Sequence, residues 1–163
     1  MCIRDSVNTI KPEQVTLVPD SEDAITSNAG WNTINNFSFL KDIVNEFHSN
    51  SIRVSIFIDP DIDMLEGAKK INADRVELFT GPYAKVYNID KSKAIEKYIQ
   101  CSQVANEINL DLNAGHDLNL ENLAFFSQKI PFLDEVSIGH ALISDSLYLG
   151  LENTIGLYKN ALQ

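Results

Sequence analysis

The chain has 163 residues, of which 44% are apolar and 22% are charged, and this length and composition predict one globular domain over residues 1–163. Thirteen basic against twenty-three acidic side chains give a net charge of -10, which argues against a nucleic-acid or anionic membrane surface. No apolar run approaches the roughly 18 residues that cross a bilayer, and the N-terminus has no signal-peptide core, so we expect a cytoplasmic protein.

The two cysteines, Cys2 and Cys101, have no spacing typical of metal ligands and no nearby partner in the sequence. We therefore expect free thiols in a reducing compartment. Residues 1–6 show no hydrophobic periodicity, and no element is predicted for them.

Apolar runs and helical periodicities alternate along the chain. The first strand is predicted at 14–19, and a long polar loop at 21–35 follows it. A loop of this length in a compact domain is commonly functional. A helix with an apolar face from Phe39 to Phe47 then precedes a buried strand at 53–59.

The same alternation continues to the C-terminus. Pro60 suits the first turn of a helix whose inner face includes Ile62, Leu65 and Ala68. A third strand with its turn is predicted at 76–82. The remaining predicted elements are a helix at 91–108, a strand at 111–116, a helix with Leu120, Leu123 and Phe126, a strand at 137–140, and one last helix with the stripe Leu147, Leu151, Ile155, Tyr158 and Leu162.

The order is strand then helix, five times, with strands that start near residues 14, 53, 75, 110 and 135. Strict alternation with mostly continuous apolar strands predicts a parallel sheet with right-handed crossovers. Five units are too few to close an eight-stranded barrel, so the pattern by itself allows an open doubly wound sheet or part of a barrel. No GxGxxG or GxxxxGK(S/T) motif favours a nucleotide-binding fold.

Two predicted strands end in a Gly-His pair, Gly115-His116 and Gly139-His140. The carboxyl ends of parallel strands meet at one edge of a sheet, where a glycine lets the backbone approach a phosphate. Two imidazoles there would lie beside one anion pocket, and histidine exchanges protons near neutral pH. The alternative is that both histidines cap backbone carbonyls, but their repeated placement favours a functional role.

A lone carboxylate, Glu77, interrupts an apolar strand. It either faces a barrel lumen or pairs with a cation in the helix layer, and the strand end at Thr80-Gly81 just beyond it favours a catalytic role. Asn113 in mid-strand and Thr26 in the long first loop could hold a substrate hydroxyl or phosphate. Either could equally satisfy local backbone groups.

Three acidic residues, Asp59, Asp61 and Asp63, resemble a metal cluster only superficially. Pro60 and the helix that follows favour helix capping by these carboxylates. No group of residues has the spacing of metal ligands, so we expect no metal. His48, near a helix end, is predicted to lie on the surface.

Five segments together resemble consecutive motifs of the pyridoxine 5'-phosphate synthase family. They are LVPD at 17–20, RVSIFID at 53–59, VELFTGPYA at 76–84, NAGH at 113–116 and SIGHALI at 137–143. The resemblance runs from about Val15 to the C-terminus in the family's order and spacing, whereas residues 1–13 match poorly. Since the family is a (β/α)₈ barrel, the resemblance implies a parallel β/α TIM-barrel type that is incomplete, with about five of eight units.

The resemblance also implies an activity. Family members condense 1-deoxy-D-xylulose 5-phosphate with 3-amino-2-oxopropyl phosphate into pyridoxine 5'-phosphate, inorganic phosphate and water, in de novo vitamin B6 biosynthesis. They use no redox cofactor or metal and assemble as homo-oligomers. The expected partners are therefore these two phosphorylated substrates and further copies of the chain, with no cofactor.

Matching the family's motifs residue by residue assigns roles within this sequence. His116 would be the proton-donating catalytic residue, and Glu77 would stabilise the transition state. The substrate-binding residues implied are Thr26 for the deoxyxylulose phosphate, and Asp117, Gly139 and His140 for the aminoketone phosphate. Many family members have glycine at the position of Asp117.

No segment matches the family's first three strands, which carry a further catalytic histidine and glutamate. We therefore expect the isolated chain to expose two strand edges, to be marginally stable and to have little or no synthase activity. Two other functions stay open: another phosphate-binding α/β-barrel lyase or isomerase, and a non-catalytic module that binds a phosphometabolite. A Schiff-base aldolase is disfavoured because no predicted strand ends in lysine.

Overall fold

The computed structural model describes residues 3–20 and 23–163, and Cys2 lies outside them. The strands are β1 (Gln14–Leu17), β2 (Arg53–Ile58), β3 (Arg75–Phe79), β4 (Asp111–His116) and β5 (Glu135–Ile138). The helices are α1 (Ile3–Ile10), α2 (Phe37–Ser49), α3 (Ile62–Ile71), α4 (Gly81–Tyr87), α5 (Lys91–Glu107), α6 (Leu123–Lys129), α7 (His140–Leu149) and α8 (Leu151–Ala161). None of these helices is long and apolar enough to cross a membrane.

The five strands form one parallel sheet in which each strand pairs with the next along the chain, in the order β1-β2-β3-β4-β5. A doubly wound sheet would reverse its strand order at a switch point, and this sheet does not. Helices alternate with the strands, and the sheet curls into a half-barrel. The prediction of an incomplete parallel β/α barrel is therefore confirmed.

The sheet has an apolar outer face and a mostly polar inner face. Val54, Ile56 and Leu78 point outward and are fully buried in the core with the helices, where each contributes roughly 1.5–3 kcal/mol. The strand register places Glu77 between Phe57 on β2 and Asn113 on β4, all on the opposite face. In a β/α barrel this opposite face is the lumen.

Two helices form where none was predicted. Helix α1 packs through the half-buried Val7, and its Asn8 side chain donates a 2.6 Å hydrogen bond to Glu46 of α2. Helix α4 begins at Gly81, where the sequence indicated only a turn, and it is anchored by the buried ring of Tyr83. Its Pro82 is compatible with a first helical turn, because the missing N–H would have no intrahelical partner there.

The prediction of one C-terminal helix from the leucine stripe is wrong, because two helices, α7 and α8, occupy this segment. Gly150, with φ 78° and ψ 141°, ends α7 and reorients the chain before α8. Leu147 and Leu151, on either side of the break, are 80% and 55% exposed, whereas Tyr158 is buried. The predicted residues therefore do not form one continuous buried stripe.

The three aspartates near α3, Asp59, Asp61 and Asp63, do not form one cluster, because Asp59 and Asp61 bind different backbone groups. Asp61 caps α3 as predicted, since its side chain accepts hydrogen bonds from the backbone N–H groups of Asp63 and Met64. The helix begins at Ile62, so Pro60 precedes the cap and does not lie in the first turn. Asp59 instead accepts a 3.2 Å hydrogen bond from the Gly30 N–H, which ties the loop after β1 to the end of β2.

Candidate active site

His116 ends β4 in an unusual backbone conformation. Strand alternation would place its side chain on the outer face with Leu112 and Ala114. Its φ of 99° lies in the region that residues other than glycine rarely adopt, and the ring lies on the inner side of the sheet. There its centroid is 5.2 Å from that of Phe79 and 6.4 Å from that of Phe57, both inner-face residues.

Three of the other predicted site residues surround this imidazole. Thr26 Oγ1 lies 2.7 Å from His116 Nε2, and the His140 ring centroid is 6.5 Å away. Asp117 Oδ1 is 3.1 Å from Nδ1, but the geometry is not that of a hydrogen bond, so among the described residues Nδ1 has no hydrogen-bond partner. The carboxyl edge of the sheet therefore brings Thr26, His116, Asp117 and His140 together.

Glu77 lies deeper on the inner face of β3 and is 8% exposed. Its Oε2 accepts a 3.3 Å hydrogen bond from the Ser137 hydroxyl on β5. Burial raises the pKa of the Glu77 carboxyl, and the Ser137 hydrogen bond and the nearby His116 oppose that rise. The carboxylate thus faces the lumen side of the sheet and not the helix layer.

Gly115 has a different role from the one expected of it. The sequence suggested that it lets the backbone approach a phosphate, but a Cβ at this position would overlap Oε1 of Glu77. The carboxylate therefore fills the space in front of Gly115. At Gly139, by contrast, a Cβ would meet nothing within 4 Å, so the backbone that leads into α7 is open to a ligand.

Asn113 is the register partner of Glu77 on the inner face, and its side chain contacts a charged cluster. Its Nδ2 donates a 3.0 Å hydrogen bond to Glu135, which also accepts a 2.6 Å bond from the buried Arg75 guanidinium. Asn113 therefore belongs to this charged cluster and does not reach the carboxyl edge. Among the described residues, no group of three or more His, Cys, Asp or Glu side chains could hold a metal ion.

Sequence reasoning did not single out Ser137, Phe79 and Thr80. Ser137 and Phe79 face inward at alternate positions of their strands, so strand periodicity could have indicated them. Thr80 gave no such signal, because its contacts depend on which strands are neighbours.

A sequential parallel sheet with polar side chains gathered at its carboxyl edge defines the class of β/α-barrel enzymes. The chain belongs to the family described as "Pyridoxal phosphate biosynthesis protein PdxJ", whose model matches residues 2–163. This match extends beyond Val15, where the resemblance in the motifs began, almost to the N-terminus.

The chain is similar to proteins named "Pyridoxine 5'-phosphate synthase" in three bacteria. It is 53% identical over 159 residues to that of Flavobacterium johnsoniae, a match that covers 98% of this chain and 67% of the relative. Identity is 57% over 157 residues for Cytophaga hutchinsonii (96% and 66% covered) and 56% over 158 residues for Parabacteroides distasonis (97% and 66% covered). The chain thus spans about two thirds of the length of these relatives.

Two solved structures share the fold. The HMG-CoA lyase from Brucella melitensis aligns with a TM-score of 0.51 at 17% identity, over 75% of this chain and 47% of that one. The Amycolatopsis orientalis BexX/CysO complex aligns with a TM-score of 0.60 at 14% identity, over 98% of this chain and 59% of that one. At such low identity, these likenesses concern the fold alone.

Proposed function

We propose that the chain supplies catalytic and substrate-binding residues of a pyridoxine 5'-phosphate synthase. The reaction condenses 1-deoxy-D-xylulose 5-phosphate with 3-amino-2-oxopropyl phosphate and releases phosphate and water. The observation that carries the proposal is the 2.7 Å contact between Thr26 Oγ1 and His116 Nε2 at the carboxyl edge of the sheet. Membership of the PdxJ family supports it.

His116 acts as the general acid in this proposal. Joining an amine to a ketone and closing an aromatic ring eliminate water, and hydroxide is a poor leaving group unless it is protonated. Because His116 Nε2 lies within hydrogen-bond distance of the Thr26 hydroxyl, a substrate hydroxyl bound beside Thr26 comes within reach of the same nitrogen. Thr26 thereby orients the deoxyxylulose phosphate.

Glu77 acts through its charge, from a position deeper on the inner face than His116. Its burial excludes water from the carboxylate, and charge–charge interactions are stronger where water is excluded. An ionised Glu77 therefore stabilises positive charge that develops on His116 or on the substrate nitrogen. Ser137 keeps the carboxylate oriented through its hydroxyl.

The aminoketone phosphate binds at Gly139 and His140. The backbone is open there, no side chain among residues 3–20 and 23–163 caps the start of α7, and N–H groups at a helix start favour an anion. Asp117 suits the amino group of this substrate and not its phosphate, because two anions repel. The Asp117 backbone N–H already donates to Thr80, which leaves the side chain for substrate contact.

The proposed partners are these two phosphorylated substrates, together with other copies of the chain in a cytoplasmic homo-oligomer. The reaction eliminates water and phosphate without net oxidation, so no step requires a redox cofactor.

An assay of pyridoxine 5'-phosphate formation tests the proposal, using the gene product that contains these residues. We expect His116→Asn to lower kcat by about 10²–10⁴-fold, the usual contribution of a general acid. His48→Asn is the matched control, because His48 lies outside the site, where its Nε2 is 2.7 Å from Asp74 Oδ2. The kcat of this variant should stay at the wild-type value. No product from the wild type, or a near-normal kcat for His116→Asn, would contradict the proposal.

A further inference from the structure

Thr80 lies between β3 and α4 and is fully buried. It occupies the N-cap position of α4, where a threonine hydroxyl usually accepts a hydrogen bond from its own helix. The Thr80 hydroxyl makes no such bond. It crosses to β4 instead, where it donates a 2.8 Å hydrogen bond to the Gly115 carbonyl and accepts a 3.3 Å bond from the Asp117 N–H.

These two bonds hold the backbone on both sides of His116. The Thr80 N–H donates a further 3.0 Å bond to the same Gly115 carbonyl. His116 itself has a φ of 99°, a conformation that persists in a non-glycine residue only where the surrounding structure imposes it. The Thr80 side chain therefore bridges the residues on either side of the proposed general acid, and the Asn122 side chain donates a 3.2 Å hydrogen bond to the Asp117 carbonyl beyond it.

Thr80 is itself fixed by the residues around it. The buried Tyr98 hydroxyl donates a 2.8 Å hydrogen bond to the Phe79 carbonyl and accepts a 3.3 Å bond from the Tyr83 N–H. One phenol thus connects the end of β3 to the first turn of α4. A hydroxyl held in this way is pre-organised, so it can hold its partners without losing much side-chain entropy.

We propose that Thr80 is a positioning residue that sets the orientation of His116. Through the Gly115 carbonyl and the Asp117 N–H, it keeps the imidazole on the inner side of the sheet with Nε2 toward Thr26. The expected effect on turnover rests on the proposed function, whereas the effect on the His116 conformation does not.

NMR of the His116 ring protons tests the conformational claim directly. The ring lies beside Phe79 and Phe57, so its signals report on its position through their ring currents. We expect Thr80→Val, which keeps the shape but removes the hydroxyl, to move these signals toward the values of the unfolded chain. Thr80→Ser keeps the hydroxyl and should retain the wild-type signals.

Steady-state kinetics of the gene product test the catalytic consequence. A small misplacement of an acid costs turnover more than binding, so Thr80→Val should lower kcat by about 10- to 100-fold and leave KM within about threefold. Thr80→Ser should stay within about threefold of wild type in kcat. If the wild type forms no product, the proposed function fails, and the NMR signals alone decide the role of Thr80.

Thr154→Val is the matched control. Thr154 is also fully buried, and its hydroxyl donates a 3.0 Å hydrogen bond to the Gly150 carbonyl, far from the site. This variant should lose stability like Thr80→Val but leave the His116 signals and kcat unchanged. Unchanged His116 signals in folded Thr80→Val, or a Thr80→Ser as impaired as Thr80→Val, would overturn the proposal.

A measurement on the wild type covers the case in which Thr80→Val does not fold. Hydrogen exchange of the Asp117 amide should be slowed at least about tenfold relative to an unprotected amide, since it donates to a buried hydroxyl. Exchange at the unprotected rate would show that this hydrogen bond does not exist in solution and would overturn the proposal.

Discussion

The Glu77 carboxylate occupies the space in front of Gly115 on the neighbouring strand. A Cβ on Gly115 would overlap Glu77 Oε1 and would come to 3.0 Å from Ser137 Cβ. The register pairs Gly115 with Phe79 on β3 and with Ser137 on β5, so the Glu77 side chain reaches from two residues before Phe79 toward the carboxyl edge. The missing side chain at residue 115 is therefore what allows this carboxylate to lie beside Ser137.

Gly115→Ala should displace the Glu77 carboxylate and break its hydrogen bond to Ser137. Overpacking of this kind costs about 1–3 kcal/mol in the free energy of unfolding, which urea titration measures. The control is the same substitution in a Glu77→Ala background, where the overlapping carboxylate is gone and the cost of the alanine should shrink. An equal cost in both backgrounds would show that Glu77 does not fill this space.

Glu77 should make stability depend on pH. Burial raises its folded-state pKa above the ordinary value of 4.5. Well below pH 4.5 the carboxyl is protonated in both states, and between pH 4.5 and the raised folded-state pKa the native protein keeps a proton that the unfolded chain has released. The free energy of unfolding therefore falls over this window, by at most about 1.4 kcal/mol per pH unit from this group.

The comparison of wild type with Glu77→Gln isolates this effect from the other carboxylates. Urea unfolding between pH 4 and pH 8 should show wild type losing stability relative to Glu77→Gln as pH rises. Parallel curves for the two proteins would mean that burial does not perturb Glu77.

The sequence predicts the sheet because each strand is a short run, alternating or mostly apolar, that is followed by a helical pattern. The strands begin at residues 14, 53, 75, 111 and 135, each within one residue of its predicted start. Helices α1 and α4 were missed for physical reasons. Helix α1 has only eight residues and buries none of them fully, so its stripe of Ile3, Val7 and Ile10 is too short to stand out, and α4 has only seven residues behind a Gly-Pro start.

The candidate site was predictable in its location and not in its contacts. Parallel strands end at one edge, so grouping His116 with His140 follows from topology alone. The bonds from Thr80 to Gly115 and from Ser137 to Glu77 join residues 35 and 60 positions apart. Such contacts depend on strand register, and the positive φ of His116 lies between the two residues that Thr80 bonds, so neither feature leaves a local signal.

Cys101 should be chemically inert in the native protein. Its side chain is 1% exposed, and burial raises the pKa of the thiol from 9.0 to about 12, which lowers the thiolate fraction roughly a thousandfold. In a Cys2→Ser background, iodoacetamide at pH 8 should leave Cys101 unmodified in buffer and alkylate it in concentrated urea. Mass spectrometry gives both rates, and equal rates would contradict the buried position.

Gly150 and Gly156 should respond in opposite ways to alanine. Gly150 has a φ of 78°, which an L-residue adopts only with strain, so Gly150→Ala should lower the free energy of unfolding by about 1–3 kcal/mol. Gly156 lies inside α8, and a Cβ there would meet nothing within 4 Å. Gly156→Ala should therefore raise stability by about 0.5–1 kcal/mol, because alanine has the higher helix propensity.

Urea unfolding of the two variants tests whether the chain breaks at Gly150. If α7 and α8 were one continuous helix, residue 150 would be helical, and alanine would stabilise the protein at both positions. Opposite signs require a break at Gly150, and the break is what separates the exposed Leu147 from the buried Tyr158.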